Sequence, residues 1–282
     1  MTKLIDTHQH LIYRDVAGYG WTGDIPALAG QDFTLGRYHG LTEGAGVVGA
    51  LFMETGVDDG DYKAEARFVA GLARAPESGI LGIIPSCRPE EDAGFSDWLD
   101  EAAGLGAVGF RRILHVMPDD LSTSETFRRN IRAVGQRGLP FDLCILPRQM
   151  GQGAALARAC PDTVMILDHC GVPDIAQGEM ARWYSGLQTL ADLPNVYCKL
   201  SGLLAYCGPG DASLDAIAPY VAKALDLFGP DRMLWGSDWP VVDMANGLQH
   251  WLEITQAILS ELSKDEAAAI GTKTAQNVYK LA

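Results

Sequence analysis

Asp6-Thr7-His8-Gln9-His10, at the end of an apolar run that begins at Leu4, has the residue types for acid–base or metal chemistry. If Leu4 to Thr7 starts a strand, side chains two apart share a face. His8 and His10 then converge while Thr7 and Gln9 face away. Two convergent imidazoles at a strand end can hold one divalent cation or one substrate oxygen; two ordinary hydrogen-bonded histidines are the plain alternative. Other apolar runs end in a similar way. Val164-Met-Ile-Leu leads into Asp168-His169, where strand alternation brings only one of the pair inward. Leu234-Trp-Gly-Ser leads to Asp238, a carboxylate that must meet a cation, a histidine or solvent. Val196-Tyr-Cys leads to Lys199 and Ser201, which share a strand face. Together these endings point to one constructed site.

The elements that would position these residues alternate along the chain. Strand candidates are Leu4 to Thr7, Val47 to Met53, Ile80 to Pro85, Ala107 to Phe110, Leu139 to Leu143, Val164 to Leu167, Val196 to Leu200 and Met233 to Gly236. Between them fall helix candidates such as Tyr62 to Ala75, Phe95 to Gly104, Ser124 to Gly138, Gln149 to Cys160, Leu214 to Phe228 and Gly247 to Leu262. Phe127, Ile131 and Val134 form the apolar stripe of one such helix. Short strands alternating with helices imply βαβ units and a parallel sheet. A doubly wound open sheet is the rival, but no G-x-G-x-x-G follows the first strand. The expectation is an α/β fold, a single (β/α)₈ TIM barrel over residues 1–282. A Gly-rich loop over residues 11–34 and Cys207-Gly-Pro-Gly210 both follow strands and so belong to the catalytic rim. Ser263-Lys-Asp-Glu266 is a capping box that opens a last helix over 263–281.

Bulk properties narrow the function classes. The 282 residues are 48% hydrophobic and 21% charged, with a net charge of −14 and a pI near 4.7. Such a surface repels nucleic acid and anionic membrane, and no apolar stretch reaches membrane-spanning length. The start, Met1 to Asp6, carries one basic residue and no signal-type apolar run, so a cytoplasmic protein is expected. The six cysteines lack any C-x-x-C pair and read as reduced thiols. Cys170, beside His169, lacks the accompanying pattern of a nucleophile.

Asp-x-His-x-His, Leu-Asp-His-Cys-Gly-x-Pro, Lys-Leu-Ser-Gly and Gly-Ser-Asp-Trp-Pro, in this order over nearly the whole chain, resemble the amidohydrolase superfamily. They are most similar to its amidohydrolase-related branch of sugar lactonases and 2-pyrone-4,6-dicarboxylate lactonase, whose Gly-x-Arg pattern Gly109-Phe-Arg111 also matches. The resemblance implies that His8, His10 and His169 are site histidines and that Asp238 is the general base. Arg111 stands where two-metal relatives carry a bridging lysine, and Asp142 where many metal-containing relatives carry a histidine. That limits the cofactor to one divalent cation, zinc first, on a subset of His8, His10, His169 and Asp238; catalysis without metal is the alternative.

The expected activity is hydrolysis of a sugar aldonolactone or a carboxylated lactone, with Asp238 drawing a proton from the attacking water. The histidines, or a cation on them, stabilise the oxyanion. Arg111, Lys199 and Ser201 are the expected substrate-binding residues, the Arg111 fork suiting a carboxylate or hydroxyls. Arg112 is expected to face the helices. Glu54 and Asp142 could pair structurally with arginines, while His115, Tyr13, Arg14 and Trp21 are left without a role. Metal-dependent decarboxylation, or C–C or amide hydrolysis, is a second reading, and a non-catalytic barrel serving as a binding module a third. The partner is a small-molecule lactone or sugar acid, and a homo-oligomer is left open.

Overall fold

The computed structural model describes residues 1–281; Ala282, the last residue of the expected domain, lies outside the described residues. Eight strands alternate with helices among them: β1 Leu4–Gln9, β2 Val47–Met53, β3 Ile80–Ile84, β4 Phe110–Ile113, β5 Phe141–Cys144, β6 Met165–Leu167, β7 Val196–Leu200 and β8 Met233–Trp235. All neighbouring strands pair parallel, in the orders β1-β2-β3 and β4-β5-β6-β7-β8. Single bridges join the two sheets. Ile83 and Ser86 pair with Ala107 and Arg111 on one side, and Gln9 with Trp239 on the other. At the second seam Asp238 N donates to His8 O at 2.9 Å and His10 N to Trp239 O at 2.8 Å. The fold is a (β/α)₈ barrel, with the ends of β1 and β8 laced together where the chemistry-bearing residues sit.

Strands β4 and β5 begin later than their apolar runs suggest. Pro140 has no N–H to give to a ladder, so regular pairing starts at Phe141, whose N donates to Val164 O at 2.9 Å. Phe110 N in turn takes Pro140 O at 3.0 Å, which sets the start of β4. This shift carries Arg111 and Asp142 into the middle of paired strands, opposite each other in register.

The outer layer contains α1 Leu35–Thr42, α2 Tyr62–Ala73, α3 Phe95–Gly104, α4 Glu125–Gln136, α5 Met150–Ala159, α6 Met180–Ala191, α7 Leu214–Phe228 and α8 Gly247–Ser260. Helices α1 and α6 were not among the candidates. Two glycines in Leu-Gly-Arg-Tyr-His-Gly-Leu-Thr weaken the helical signal of α1, although the Thr34 side chain caps it by accepting from Arg37 N. The expected last helix runs unbroken from Lys264 to Tyr279 but is not regular throughout. A π-turn at Ala269–Lys273 separates α9 Lys264–Ala268 from α10 Thr274–Tyr279. It lets Gly271 lie against the N-terminal strand, where an added Cβ would stand 2.4 Å from Lys3 O. The capping box at Ser263 and Glu266 is present. Among the described residues, no helix is long and apolar enough to cross a membrane.

Candidate active site

Four strand ends converge on a cavity of about 360 Å³ at the C-terminal mouth of the barrel. Its ionisable lining is His10, Arg111, His115, His169, Tyr206 and Asp238, and Trp21, Ile113, Leu146, Val172 and Val241 form apolar walls. A larger groove of about 770 Å³ around Met1, Gln256 and Thr272 has no carboxylate or imidazole in its lining. The smaller cavity carries the chemistry.

Asp238 is its centre. It follows β8 in the left-handed region, φ 56°, a conformation that costs a non-glycine residue about 1–3 kcal/mol and that clusters at functional sites. His10 Nε2 lies 3.4 Å from Asp238 Oδ1, His8 Nε2 3.8 Å from the same oxygen, and His169 Nδ1 3.9 Å from Oδ2. Asp238 Oδ2 is buried and has no hydrogen-bond partner. A buried acceptor without a partner is rare in folded chains and calls for a water or an ion to complete it.

Each imidazole is held from behind. His10 Nδ1 lies 3.0 Å from Met53 O, so Nδ1 carries a proton and Nε2 turns toward Asp238. His169 Nδ1 meets Ser201 Oγ at 2.9 Å. His8 is fully buried, with Nδ1 3.3 Å from Asp168 Oδ1 and also 3.3 Å from Lys199 Nζ, while Nε2 is 3.1 Å from Arg111 Nη1. A neutral imidazole donates from one nitrogen and accepts at the other. We assign the proton to Nδ1, toward Asp168, which leaves Nε2 as acceptor. Burial holds both His8 and His169 below the usual histidine range and thus neutral. Burial pushes Asp168 the other way, but Lys199 and His8 outweigh it and keep this carboxylate well below its ordinary value.

Strand alternation allowed one of Asp168 and His169 to face inward, yet both do. The chain leaves β6 through His169 and Cys170 at φ 53° and 51°, so the period of two is lost after Leu167. Gly202 makes the approach of β7 and β8 possible. Its φ is 67°, and a Cβ there would stand 2.6 Å from His169 Nδ1 and 2.7 Å from Asp238 Oδ2.

The expected substrate binders are placed differently. Lys199 and Ser201 are fully buried beneath the histidines and do not line the cavity. Lys199 is bound to Asp142 and Ser201 to His169. Arg111 does reach the cavity, but its Nε takes Glu54 Oε1 at 2.7 Å and its Nη2 takes Glu54 O at 2.5 Å. The fork that would grip a substrate carboxylate already holds one carboxylate oxygen and the main-chain carbonyl of Glu54. Asp142 pairs with Lys199 rather than with an arginine, and burial raises it to about 7. Arg112 faces outward to Glu90 at 2.5 Å. Cys170 Sγ is buried 3.3 Å from Lys199 O, away from the cavity.

Sequence reading left His115 and Trp21 without roles and did not single out Tyr206. His115 Nδ1 lies 3.1 Å from Cys144 Sγ, and burial followed by the Arg111 charge lowers its pKa to about 4. Trp21 reaches the cavity because Arg14 ties the rim loop to Thr22 and Leu28 O, each at 2.9 Å, and because Trp21 Nε1 donates to Thr55 O at 2.9 Å. These contacts join distant loop segments and have no periodic signature.

The ligand atoms of His8, His10 and Asp238 all lie within 4.8 Å of one another, as do those of His8, Asp168 and His169. The first trio fits a cation better. His8 Nε2 and His10 Nε2 turn toward Asp238 Oδ1, the other ring nitrogens face Asp168 and Met53 O, and a cation there would displace the Arg111 Nη1 contact to His8 Nε2.

A parallel barrel with histidines and an aspartate at its C-terminal strand ends defines a class of hydrolytic enzymes. This chain belongs to the amidohydrolase family, whose model matches residues 5–281. It is 28% identical over 300 residues to an L-fucono-1,5-lactonase of Burkholderia multivorans, covering 98% of this chain and 96% of the relative. A 2-pyrone-4,6-dicarboxylate hydrolase of Comamonas testosteroni is 34% identical over 191 residues, 64% of this chain and 59% of that protein. The crystal structure of an amidohydrolase from Burkholderia multivorans with bound zinc superposes with a TM-score of 0.90 at 27% identity, covering 99% of this chain and 100% of that one.

Proposed function

We propose that this protein hydrolyses a neutral lactone, an aldonolactone of a sugar acid, with Asp238 as general base. The observation that carries the reading is the Asp238 carboxylate on the cavity wall, with His8 and His10 beside Oδ1 and His169 beside a buried Oδ2 that has no hydrogen-bond partner. A water held there gives its proton to Asp238 as its oxygen bonds to the lactone carbonyl carbon. The carbonyl π electrons move to the oxygen, which Arg111 Nη1 faces as a donor. When the carbonyl re-forms, the ring C–O bond breaks and the ring oxygen takes the proton from Asp238, releasing the hydroxy acid. A divalent cation on His8, His10 and Asp238, with zinc in a relative as precedent, would polarise the carbonyl.

The choice of a neutral ring over a carboxylated one rests on Arg111. Its bidentate edge is committed to Glu54, and Asp238 would repel a second carboxylate. The apolar walls suit the carbon face of a sugar ring. Asp142, the strand-five position, lies under the floor with Lys199 and offers no further ligand to the cavity. That supports lactone hydrolysis over metal-dependent decarboxylation. A panel of aldonolactones and carboxylated lactones, followed by acid release with and without chelator, tests the proposal. Turnover confined to the neutral rings is expected; release only from carboxylated rings would reverse the substrate assignment.

A further inference from the structure

Beneath the site a chain of polar contacts runs to the opposite end of the barrel. Tyr279, the last residue of α10, is buried inside the barrel against the cluster of Leu51, Met53, Ile84, Ile166 and Leu234. Its ring has room because Gly109 precedes β4; a Cβ there would stand 3.3 Å from Tyr279 Cε1. The Tyr279 hydroxyl lies 3.2 Å from each carboxylate oxygen of Asp142. Asp142 binds Lys199 Nζ, and that ammonium lies 3.3 Å from Asp168 Oδ1 and 3.3 Å from His8 Nδ1. Lys199 also sits 5.9 Å over the centroid of the Tyr279 ring. Asp142, Lys199, Asp168 and His8 are all fully buried.

Stability alone does not explain such a chain. Barrel interiors are ordinarily filled by apolar layers, and a buried ion pair is commonly replaceable by apolar side chains without loss of stability. What the chain does supply is position. The Lys199 ammonium is drawn toward Asp142 on one side and Asp168 on the other, and the balance sets its height below His8. The Tyr279 hydroxyl touches both oxygens of Asp142 and so limits rotation of that carboxylate.

We propose that Tyr279 is a positioning residue of the active site, holding Asp142, and through it Lys199, where the ammonium fixes Asp168 as the acceptor of the His8 Nδ1 proton. Without the hydroxyl, Asp142 turns and takes Lys199 with it, and Asp168 and His8 lose their common neighbour. Outer partners that orient a site histidine typically contribute about 10- to 100-fold to function.

The test is Tyr279→Phe, which keeps the ring and removes only the hydroxyl. The control is Val278→Ala, in the same helix and the same interior cluster. The activity readout rests on the lactonase reading, so the primary readout is the ¹⁵N spectrum of the histidine rings, with His8 assigned from His8→Gln. Tyr279→Phe is expected to move the His8 ring resonances and to lower kcat about tenfold, with KM within about twofold. Its melting temperature should stay within about 4 °C of the parent. Val278→Ala is expected to lower the melting temperature and leave the His8 resonances and kcat in place. His8 resonances unmoved by Tyr279→Phe would overturn the proposal, as would an equal displacement by Val278→Ala. If the parent hydrolyses no lactone, the substrate reading fails while the ring spectrum still decides this proposal.

Discussion

At the scale of single residues the site is a set of buried charges in which each group limits what its neighbour can do. Arg111 shows this most directly. Read as a strand-end cation it should grip substrate, and Arg111→Met should mainly weaken binding. In the structure it is the counter-ion of buried Glu54, and Glu54 reaches Gly56 N at 2.9 Å. Burial opposes the charge on Arg111, yet Glu54 holds the guanidinium above its usual range. Arg111→Met is therefore expected to leave an uncompensated buried carboxylate and to destabilise the fold by about 3–5 kcal/mol, measured by denaturant unfolding. Arg112→Met breaks a pair with Glu90 in which the side chains are 11% and 18% exposed, and it should cost less than Arg111→Met. Equal losses from the two changes would contradict the role given to Glu54.

At the scale of elements, the strand ends were legible because the barrel places chemistry there and because the residue types stand out from their apolar runs. Strands Val47–Met53 and Val196–Leu200 and helices Phe95–Gly104 and Leu214–Phe228 coincide with the runs that predicted them. What was not legible depends on backbone departures from regular geometry. Asp168 and His169 both face inward because the residues after β6 are left-handed, which alternation cannot anticipate. Lys199 and Ser201 share a face as expected, but that face is buried below the cavity, where Asp142 and His169 take them up. The loop contributions of Trp21, His115 and Tyr206 carry no periodicity at all. One irregular element yields a sharp prediction. Gly202→Ala adds a methyl group that would overlap His169 and Asp238 at a positive φ, so it should reduce kcat by about a hundredfold or more, as a 1 Å misplacement can. Full activity in that variant would mean that His169 and Asp238 need not be as close as they stand.

At the scale of the whole molecule, a net charge of −14 surrounds a cavity whose one guanidinium is neutralised by Glu54. Such a field repels anions and neither attracts nor repels an uncharged ring. For a neutral aldonolactone, kcat/KM should vary less than about twofold between low salt and 0.5 M salt, roughly the regime where screening becomes short-ranged. A steep rise or fall with salt would reveal a charged substrate. The central claim, that Asp238 is the base of a lactonase, is tested most directly by Asp238→Asn assayed on the best aldonolactone of the panel. The variant keeps the shape of the side chain and loses the proton acceptor, so the account predicts an unchanged melting profile with turnover reduced by about 10²–10⁴. Turnover retained within about tenfold of the parent in a folded Asp238→Asn protein would contradict it.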